Sequence, residues 1–359
     1  MTRQFTATPG KRGRVPLLIG IAGPSGSGKT FSALRLATGI QRVTPGDIHV
    51  IDTEADRALH HAHDDKCGFF ASGRCSAVGQ HFTFHHVPFR PPFGCLDYLE
   101  AIRYCVARGA STTIIDSASH MHEGEGGMLD QHEQAIDRAT NNSTDWSKRD
   151  AASWRCWKEP KADMNRFVQC LLQMKVNVIF CFRAKDKLTP GVKDGKKTLE
   201  SRGTMAIGDD LLIYEMIVQP LLEAGSRGVP DWSPTEKGAA LQTKLPGFFA
   251  ELSKRKGQQL DEDMGETMGR WAAGDSLSSA PAPTGQRPAS AAPTQPSGGN
   301  ASESASTPES VLERVKLAES VAAVDAISAG IRTVIGGWTD EEKARVRDAF
   351  RARRRELEL

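Results

Sequence analysis

Residues 23–30 read Gly-Pro-Ser-Gly-Ser-Gly-Lys-Thr, a run whose types and spacing suit the grip of phosphate groups. Gly23, Gly26 and Gly28 let the backbone curl so that successive N–H groups point inward at phosphate oxygens. The start of the following helix adds partial positive charge at the same place. Lys29 is long enough to reach β- and γ-phosphates, and Thr30 can offer its hydroxyl to Mg²⁺. Pro24, Ser25 and Ser27 complete the turn, and Phe31 opens the helix beyond it. The ligand implied is a nucleoside triphosphate, with Gly23, Pro24, Ser25, Gly26, Ser27, Gly28, Lys29, Thr30 and Phe31 as its binding set.

Such a loop needs a carboxylate at the end of a neighbouring strand to organise the metal. The run Ser111-Thr112-Thr113-Ile114-Ile115-Asp116 is apolar and ends in an acid, so Asp116 joins Thr30 as the expected Mg²⁺ pair. The strand ending Val50-Ile51-Asp52-Thr53-Glu54 places further carboxylates beside the phosphate loop, where one can polarise a water. Glu54 is the choice for that role, with Asp52 structural; the plainer reading has both at a solvated strand end. Val178–Phe182 runs into Arg183-Ala184-Lys185, and a basic group there can sense a γ-phosphate and neutralise transition-state charge. The expected catalytic set is Lys29, Glu54, Asp116 and Arg183.

The elements that must hold these residues are legible as short apolar runs alternating with helical patterns. Strands are expected at Leu17–Ala22, Ile48–Asp52, Phe82–Pro88, Thr112–Asp116, Val176–Phe182 and Tyr214–Pro220. Helices are expected at Phe31–Gly39, Cys95–Arg108 and Asp163–Met174. This alternation predicts an α/β fold with a mostly parallel sheet covered by helices. A basic arm, 1–14, precedes the main domain, 15–275. Residues 276–308 are almost entirely Ser, Ala, Pro, Thr, Gly, Gln and Asn, the composition of a flexible linker. A small helical tail, 309–359, follows, with Val311, Leu312, Val315, Val321, Val324 and Ile327 on one face. Thr339-Asp340-Glu341-Glu342 reads as a capping box opening its last helix. That helix carries six arginines between 345 and 355, a solvated face or a surface for a partner.

Bulk properties narrow the class. A formal net charge of +2 rules out a global field drawing the chain to nucleic acid or membrane, so any basic surface is local. Seven cysteines without a CxxC pair suit reduced thiols in a cytosolic protein. No stretch approaches the roughly twenty apolar residues of a membrane span. The basic arm and apolar run at the start mimic a signal peptide, but that run is short and flows into the phosphate loop. A soluble, cytoplasmic protein is expected.

Three local patterns remain. Between 183 and 202, seven basic residues face three acids among prolines and glycines, which reads as a mobile basic loop: a DNA contact or an ordinary solvated loop. Trp146, Trp154 and Trp157 interleave with Lys148, Arg149, Arg155 and Lys158, so bases can stack there, or Trp154 and Trp157 pack into the core. Seven of ten histidines lie between 49 and 86, with Cys67 and Cys75 among them. His61 and His63 with the two thiols are conceivable zinc ligands, yet the spacing matches no usual finger or ribbon, and a His-rich surface insertion is the default.

Taken together, the phosphate loop, the strand ending Ile51-Asp52-Thr53-Glu54 and the strand ending Ile114-Ile115-Asp116-Ser117 resemble the RecA-like ATPase core. The segments Pro91-Pro92-Phe93, Ile115–His120, Glu123–Gly127 and Arg183-Ala184-Lys185 are similar to phage-encoded RecA-like P-loop ATPases. Those are AAA-domain ATP-binding proteins found among recombination and single-strand-annealing genes. The resemblance spans roughly 15–220. It implies ATP and Mg²⁺ as ligands, Glu54 as water activator, Asp116 at the metal, single-stranded DNA binding and homo-oligomeric assembly. It also implies DNA-stimulated ATP hydrolysis in phage-type recombination, repair or replication. A recombination or single-strand-binding partner would dock on the tail, and no membrane is involved. Where the broader family often has a polar amide as phosphate sensor, this chain has Arg183. No strand-exchange domain is recognisable. Two other readings stay open: a small-molecule or nucleotide kinase, and a nucleotide-gated binding module that hydrolyses little.

Overall fold

In the computed structural model, which describes residues 6–193, 196–275, 311 and 339–357, the apolar runs become the strands of an eight-stranded, mostly parallel sheet. The first half of the chain supplies β1 (Leu18–Gly23), α1 (Lys29–Gln41), β2 (Asp47–Asp52), α2 (Phe69–Ser72), β3 (His85–Pro88), α3 (Cys95–Ala107) and β4 (Ala110–Asp116). Four helices follow, α4 (His120–Glu123), α5 (Met128–Thr140), α6 (Trp146–Cys156) and α7 (Lys158–Leu171), then β5 (Asn177–Lys193) and β6 (Lys196–Ala206). The remainder adds α8 (Asp210–Tyr214), β7 (Leu221–Leu222), β8 (Pro230–Asp231), α9 (Lys237–Gln242), α10 (Ala250–Ser253) and α11 (Glu262–Ala273).

The strand order is β3-β2-β4-β5-β1-β7-β8, with β6 paired antiparallel to β5. Central strands buried on both faces need apolar side chains on both, which is why β1 reads as an unbroken apolar run. Alternate residues feed two cores. Leu18, Val178, Phe180 and Phe182 pack with Tyr98 of α3 and Phe167 of α7 on one face. Ile19, Ile21, Ile179 and Cys181 pack with Leu34, Leu36 and Ile40 of α1 and Met264 and Met268 of α11 on the other. The expected α/β architecture is the observed one.

Several boundaries differ from expectation, each for a physical reason. Tyr214 ends a helix rather than opening a strand. Residues 217–220 do bond to β1, but Pro220 has no N–H to give, so regular pairing is confined to Leu221–Leu222. The expected strand from Phe82 holds only over His85–Pro88, while Phe82 makes an isolated bridge to Ala62. The basic stretch 183–202 is not a loop: its two arms are the antiparallel β5–β6 hairpin. α5, α6 and α11 escape the sequence because their buried faces are thin or interrupted by glycine. α6 buries only Ala152 and Cys156.

α11 shows what its glycines are for. A Cβ on Gly265 would meet the Leu36 carbonyl at 2.2 Å, and one on Gly39 of α1 would meet the Glu262 carbonyl at 1.9 Å. Without side chains there, the two helices approach backbone to backbone, and Arg35 reaches across to Glu262 at 2.7 Å. The arm entering β1 lies along α11, with Val15 N donating to Ala272 O (2.8 Å) and Arg12 donating to Trp271 O (3.1 Å).

The chain falls into two compact units, Met1–Ala280 and Pro281–Leu359. In the second, the helix Asp340–Leu357 opens on the expected capping box. Thr339 N donates to Glu342 Oε2 (2.7 Å) and Glu342 N donates to Thr339 Oγ1 (3.3 Å). The expected linker 276–308 and the apolar face from Leu312 to Ile327 lie outside the described residues.

The α1–α11 contact makes a direct prediction. Gly265→Ala loses about 1–3 kcal/mol in denaturant unfolding through overpacking. Gly269→Ala, whose Cβ meets nothing nearer than 3.3 Å, stays within about 1 kcal/mol of the parent.

Candidate active site

Parallel register brings the chemistry to one edge of the sheet. Gly23 at the end of β1 is level with Arg183 of β5, Cys181 of β5 with Asp116 of β4, and Asp116 with Asp52 of β2. Carboxyl ends of parallel strands are where open α/β sheets take ligands. One strand, β5, separates the phosphate-loop strand from the strand of Asp116, and it delivers Arg183 between them.

The loop after β1 has the form its residues require. Gly26 and Gly28 have φ of 76° and 96°, and nothing lies within 4 Å of where a Gly26 Cβ would be, so the loop's mouth is open. A Gly23 Cβ would meet Ser27 Oγ at 2.5 Å and Leu222 O at 2.6 Å. Ser27 Oγ is fully buried and has no hydrogen-bond partner. Lys29 Nζ donates to Pro24 O (2.8 Å), folding its ammonium back over the loop. An open cradle with an orphaned hydroxyl and a lysine held only by its own loop fits a phosphate chain.

Thr30 Oγ1 donates to Asp116 Oδ2 at 2.5 Å, joining α1 to β4 across β5. Both are hard oxygen ligands, the donor chemistry Mg²⁺ takes, so the pair fits that ion. Asp116 is buried, and burial pushes its carboxyl up to about 6, with the nearby Glu54 adding to the rise and the Thr30 hydrogen bond and Lys29 opposing it.

Glu54 and Arg183, far apart in sequence, are bonded to each other. Arg183 donates from Nε (2.9 Å) and Nη2 (2.7 Å) to Glu54 Oε1. Glu54 is therefore not a solvated strand end. Asp52 takes the structural role expected of it: Oδ1 accepts from Glu54 N (2.7 Å) and Oδ2 accepts from Ala58 N (3.0 Å), with His86 Nε2 at 3.2 Å. It shapes the turn that presents Glu54.

Other residues at this edge carry no motif of their own. Ser119 Oγ donates to Ile207 O (2.6 Å) and accepts from Arg183 N (2.9 Å), pinning the root of the β5–β6 hairpin behind Asp116. Thr53 Oγ1 accepts from Ser117 N (2.8 Å) and lies 2.8 Å from His120 Nδ1, while His120 stacks on Phe93. Burial lowers the His120 pKa, and Arg183 lowers it further. The quoted segments 91–93, 115–120 and 123–127 thus meet: Phe93 N donates to Glu125 O (2.8 Å), and a Gly126 Cβ would strike Pro92. The sequence reading missed the loop after β7. Gly228 N donates to Ser27 O (2.8 Å), bracing the phosphate loop from the far end of the domain and bringing Arg227 beside it. Only the Ser-Arg-Gly turn type at 226–228 hinted at it.

The tryptophans divide. Trp146 and Trp154 are 79% and 88% exposed on α6, so Trp154 does not pack into the core as the plainer reading had it. Trp157 stacks on His132 at 3.9 Å. Arg149 is occupied by Asp137 and Glu133.

A glycine-rich phosphate loop between a buried strand and a helix, facing an acid on a parallel strand, defines a P-loop nucleotide-binding protein. Residues 16–207 match a family model described as an AAA domain. The chain belongs to that family, whose members are nucleotide-binding ATPases. No curated protein matches it. Among the described residues, no helix is long and apolar enough to cross a membrane.

The buried Asp116 predicts a pH dependence without Mg²⁺. Its folded pKa of about 6 lies above its unfolded value near 4. The folded chain therefore holds the extra proton between them, and this residue's contribution to stability falls as pH rises through that window. The loss is on the order of 3 kcal/mol once the group is ionised. Asp116→Asn should thus be more stable than the parent at pH 8 by denaturant unfolding, with the difference shrinking towards pH 5.

Proposed function

We propose that this protein is a Mg²⁺-dependent ATP hydrolase whose turnover is coupled to single-stranded DNA, acting in phage-type recombination, repair or replication. One observation carries the coupling: a single strand, β5, runs from Arg183 at the nucleotide edge into the basic hairpin, with its pairing to β6 shifting register between Asp186 and Leu188. A single strand ties the group that faces the phosphates to the feature that would touch DNA. In its described arms, Lys185, Lys187 and Arg202 are exposed. The exposed rings of Trp146 and Trp154, beside exposed Lys148 and Arg155, support a stacking surface for bases.

In this reading the N–H groups of residues 24–30 and the Lys29 ammonium bind the β- and γ-phosphates. Thr30 and Asp116 hold Mg²⁺, which supplies charge neutralisation to the phosphate oxygens when bound. Arg183 leaves Glu54 for the γ-phosphate as it arrives, and the freed carboxylate accepts a proton from the attacking water. The new P–O bond forms as the bond to ADP breaks, and the arginine offsets the charge that develops on the transferred group. Without nucleotide the carboxylate stays in its ion pair with Arg183.

Homo-oligomeric assembly, a recombination or single-strand-binding partner at the arginine-rich tail helix, and a cytoplasmic setting belong to the same proposal. They rest on the resemblance and on the charge of that helix.

Hydrolysis is measured with and without single-stranded DNA. Turnover should be DNA-stimulated, lost in Lys29→Ala, and reduced about 10²–10⁴-fold in Glu54→Gln with nucleotide binding intact. Hydrolysis indifferent to DNA removes the coupling, and phosphate transfer to a small acceptor would make it a kinase. Trp154→Ala, an exposed and structurally cheap change, should weaken DNA binding by about 1–3 kcal/mol without moving ATP affinity.

A further inference from the structure

Residues 62–82 leave the sheet after β2 and return to it before β3. The excursion is closed at its root by the Ala62–Phe82 bridge, with Phe82 N donating to His61 O (2.8 Å). His61 and Phe82 both rest on Phe31, each 5.5 Å between ring centroids, immediately behind the phosphate loop. Beyond that root almost nothing apolar holds the segment. Only Cys67 and Phe82 are buried in it, while Phe70 and Val78 are exposed. A loop of this length with so little core needs another constraint to keep one conformation.

That constraint is present in its side chains. One ligand atom from each of His63, Cys67, Cys75 and His81 lies within 4.8 Å of all the others. Cys67 Sγ is 3.7 Å from His63 Nδ1, and Cys75 Sγ is 3.8 Å from His81 Nδ1. A tetrahedral zinc with bonds of about 2.3 Å to sulfur and about 2.0–2.1 Å to nitrogen has S···N edges of roughly 3.5 Å, so the four atoms stand close to a coordination shell. The surroundings orient the ligands. His63 Nε2 lies 3.1 Å from Thr83 Oγ1, which leaves Nδ1 for the cluster, and its ring stacks on Phe69. Cys67 N donates to Asp64 Oδ1 (2.8 Å), and Ser76 N donates to Cys67 O (2.8 Å), bringing the second half of the loop onto the first. Gly68 and Gly73, at φ of 78° and 69°, make the turns between them.

The geometry points to a structural zinc site formed by the His63 and His81 imidazoles and the Cys67 and Cys75 thiolates, cross-linking residues 62–82 into a module seated on Phe31. Two thiolates and two imidazoles select zinc over the hard cation of the nucleotide site, and four protein ligands leave no open position for catalysis. The arrangement, His-x3-Cys-x7-Cys-x5-His, uses His81 where the sequence suggested His61. The other acid–histidine cluster, Asp52, Asp56 and His86, is accounted for: Asp52 holds backbone N–H groups and Asp56 pairs with Arg90 at 2.7 Å.

The test is elemental analysis of the full chain, purified without a polyhistidine tag and without chelators. About one zinc per chain is expected to survive gel filtration, to be retained in His86→Ala, and to fall at least about tenfold in Cys75→Ser. Cobalt titrated into chelator-treated parent protein should give thiolate-to-metal charge-transfer bands and the intense visible absorption of a tetrahedral site. This readout decides the matter even where Cys75→Ser fails to fold. Zinc below about a tenth per chain with no such cobalt bands would overturn the site. So would a Cys67–Cys75 disulfide in the protein as purified under reducing conditions, before any chelator treatment, or zinc undiminished in both Cys67→Ser and Cys75→Ser.

Discussion

Everything at the nucleotide edge depends on β1, β5, β4 and β2 running parallel and in step. Gly23 is level with Arg183, and Asp116 with both Cys181 and Asp52, so β1, β4 and β2 end within two residues of one another while β5 passes through the same edge. Lys29, Thr30 and Glu54, just past those ends, and Arg183, within β5, are thereby brought to one edge. The cost of this scheme is a sheet buried on both faces, which the two cores meet with alternating residues of the same strands. A one-residue slip of β5 would exchange its faces and carry Arg183 away from Glu54 together.

Two short contacts then set the character of the edge. Thr30 to Asp116 closes one end with oxygen donors and keeps a carboxyl in a place that disfavours its charge. Arg183 to Glu54 closes the other end by holding the proposed base in an ion pair. In the proposed function the Arg183–Glu54 pairing gives way to the incoming γ-phosphate. Ser119 joins the same edge to the hairpin root, bonding to both Arg183 N and Ile207 O.

Legibility in the sequence followed the length of the signal. The phosphate loop and the central strands were readable because each is a local pattern with one dominant use, whereas Asp116, an acid ending an apolar run, gained meaning only from its place after that loop. Glu54 and Arg183 could be nominated one by one, but their pairing spans 129 residues and no local pattern encodes it. α11 was invisible for a reason specific to its job. The glycines that admit α1 at backbone distance also weaken the helical pattern that would reveal it. The hairpin read as a loop because Pro190, Gly191 and Gly203 punctuate strands whose pairing is with each other rather than with a core. In the His- and Cys-rich excursion the ligand types were visible, but which histidines converge depended on how the loop folds back.

The brace on the phosphate loop has a consequence for how the chain can be divided. The family match ends at residue 207, yet Gly228 holds Ser27, Leu222 stands against Gly23, and Phe249, Leu252, Leu260, Met264 and Met268 fill the core beneath α1. A fragment cut at the edge of the recognisable region would leave α1 with one flank bare and the cradle without its outer support. The matched region is smaller than the unit that packs together, and residues 208–273 brace the phosphate loop and α1 although the family match does not reach them.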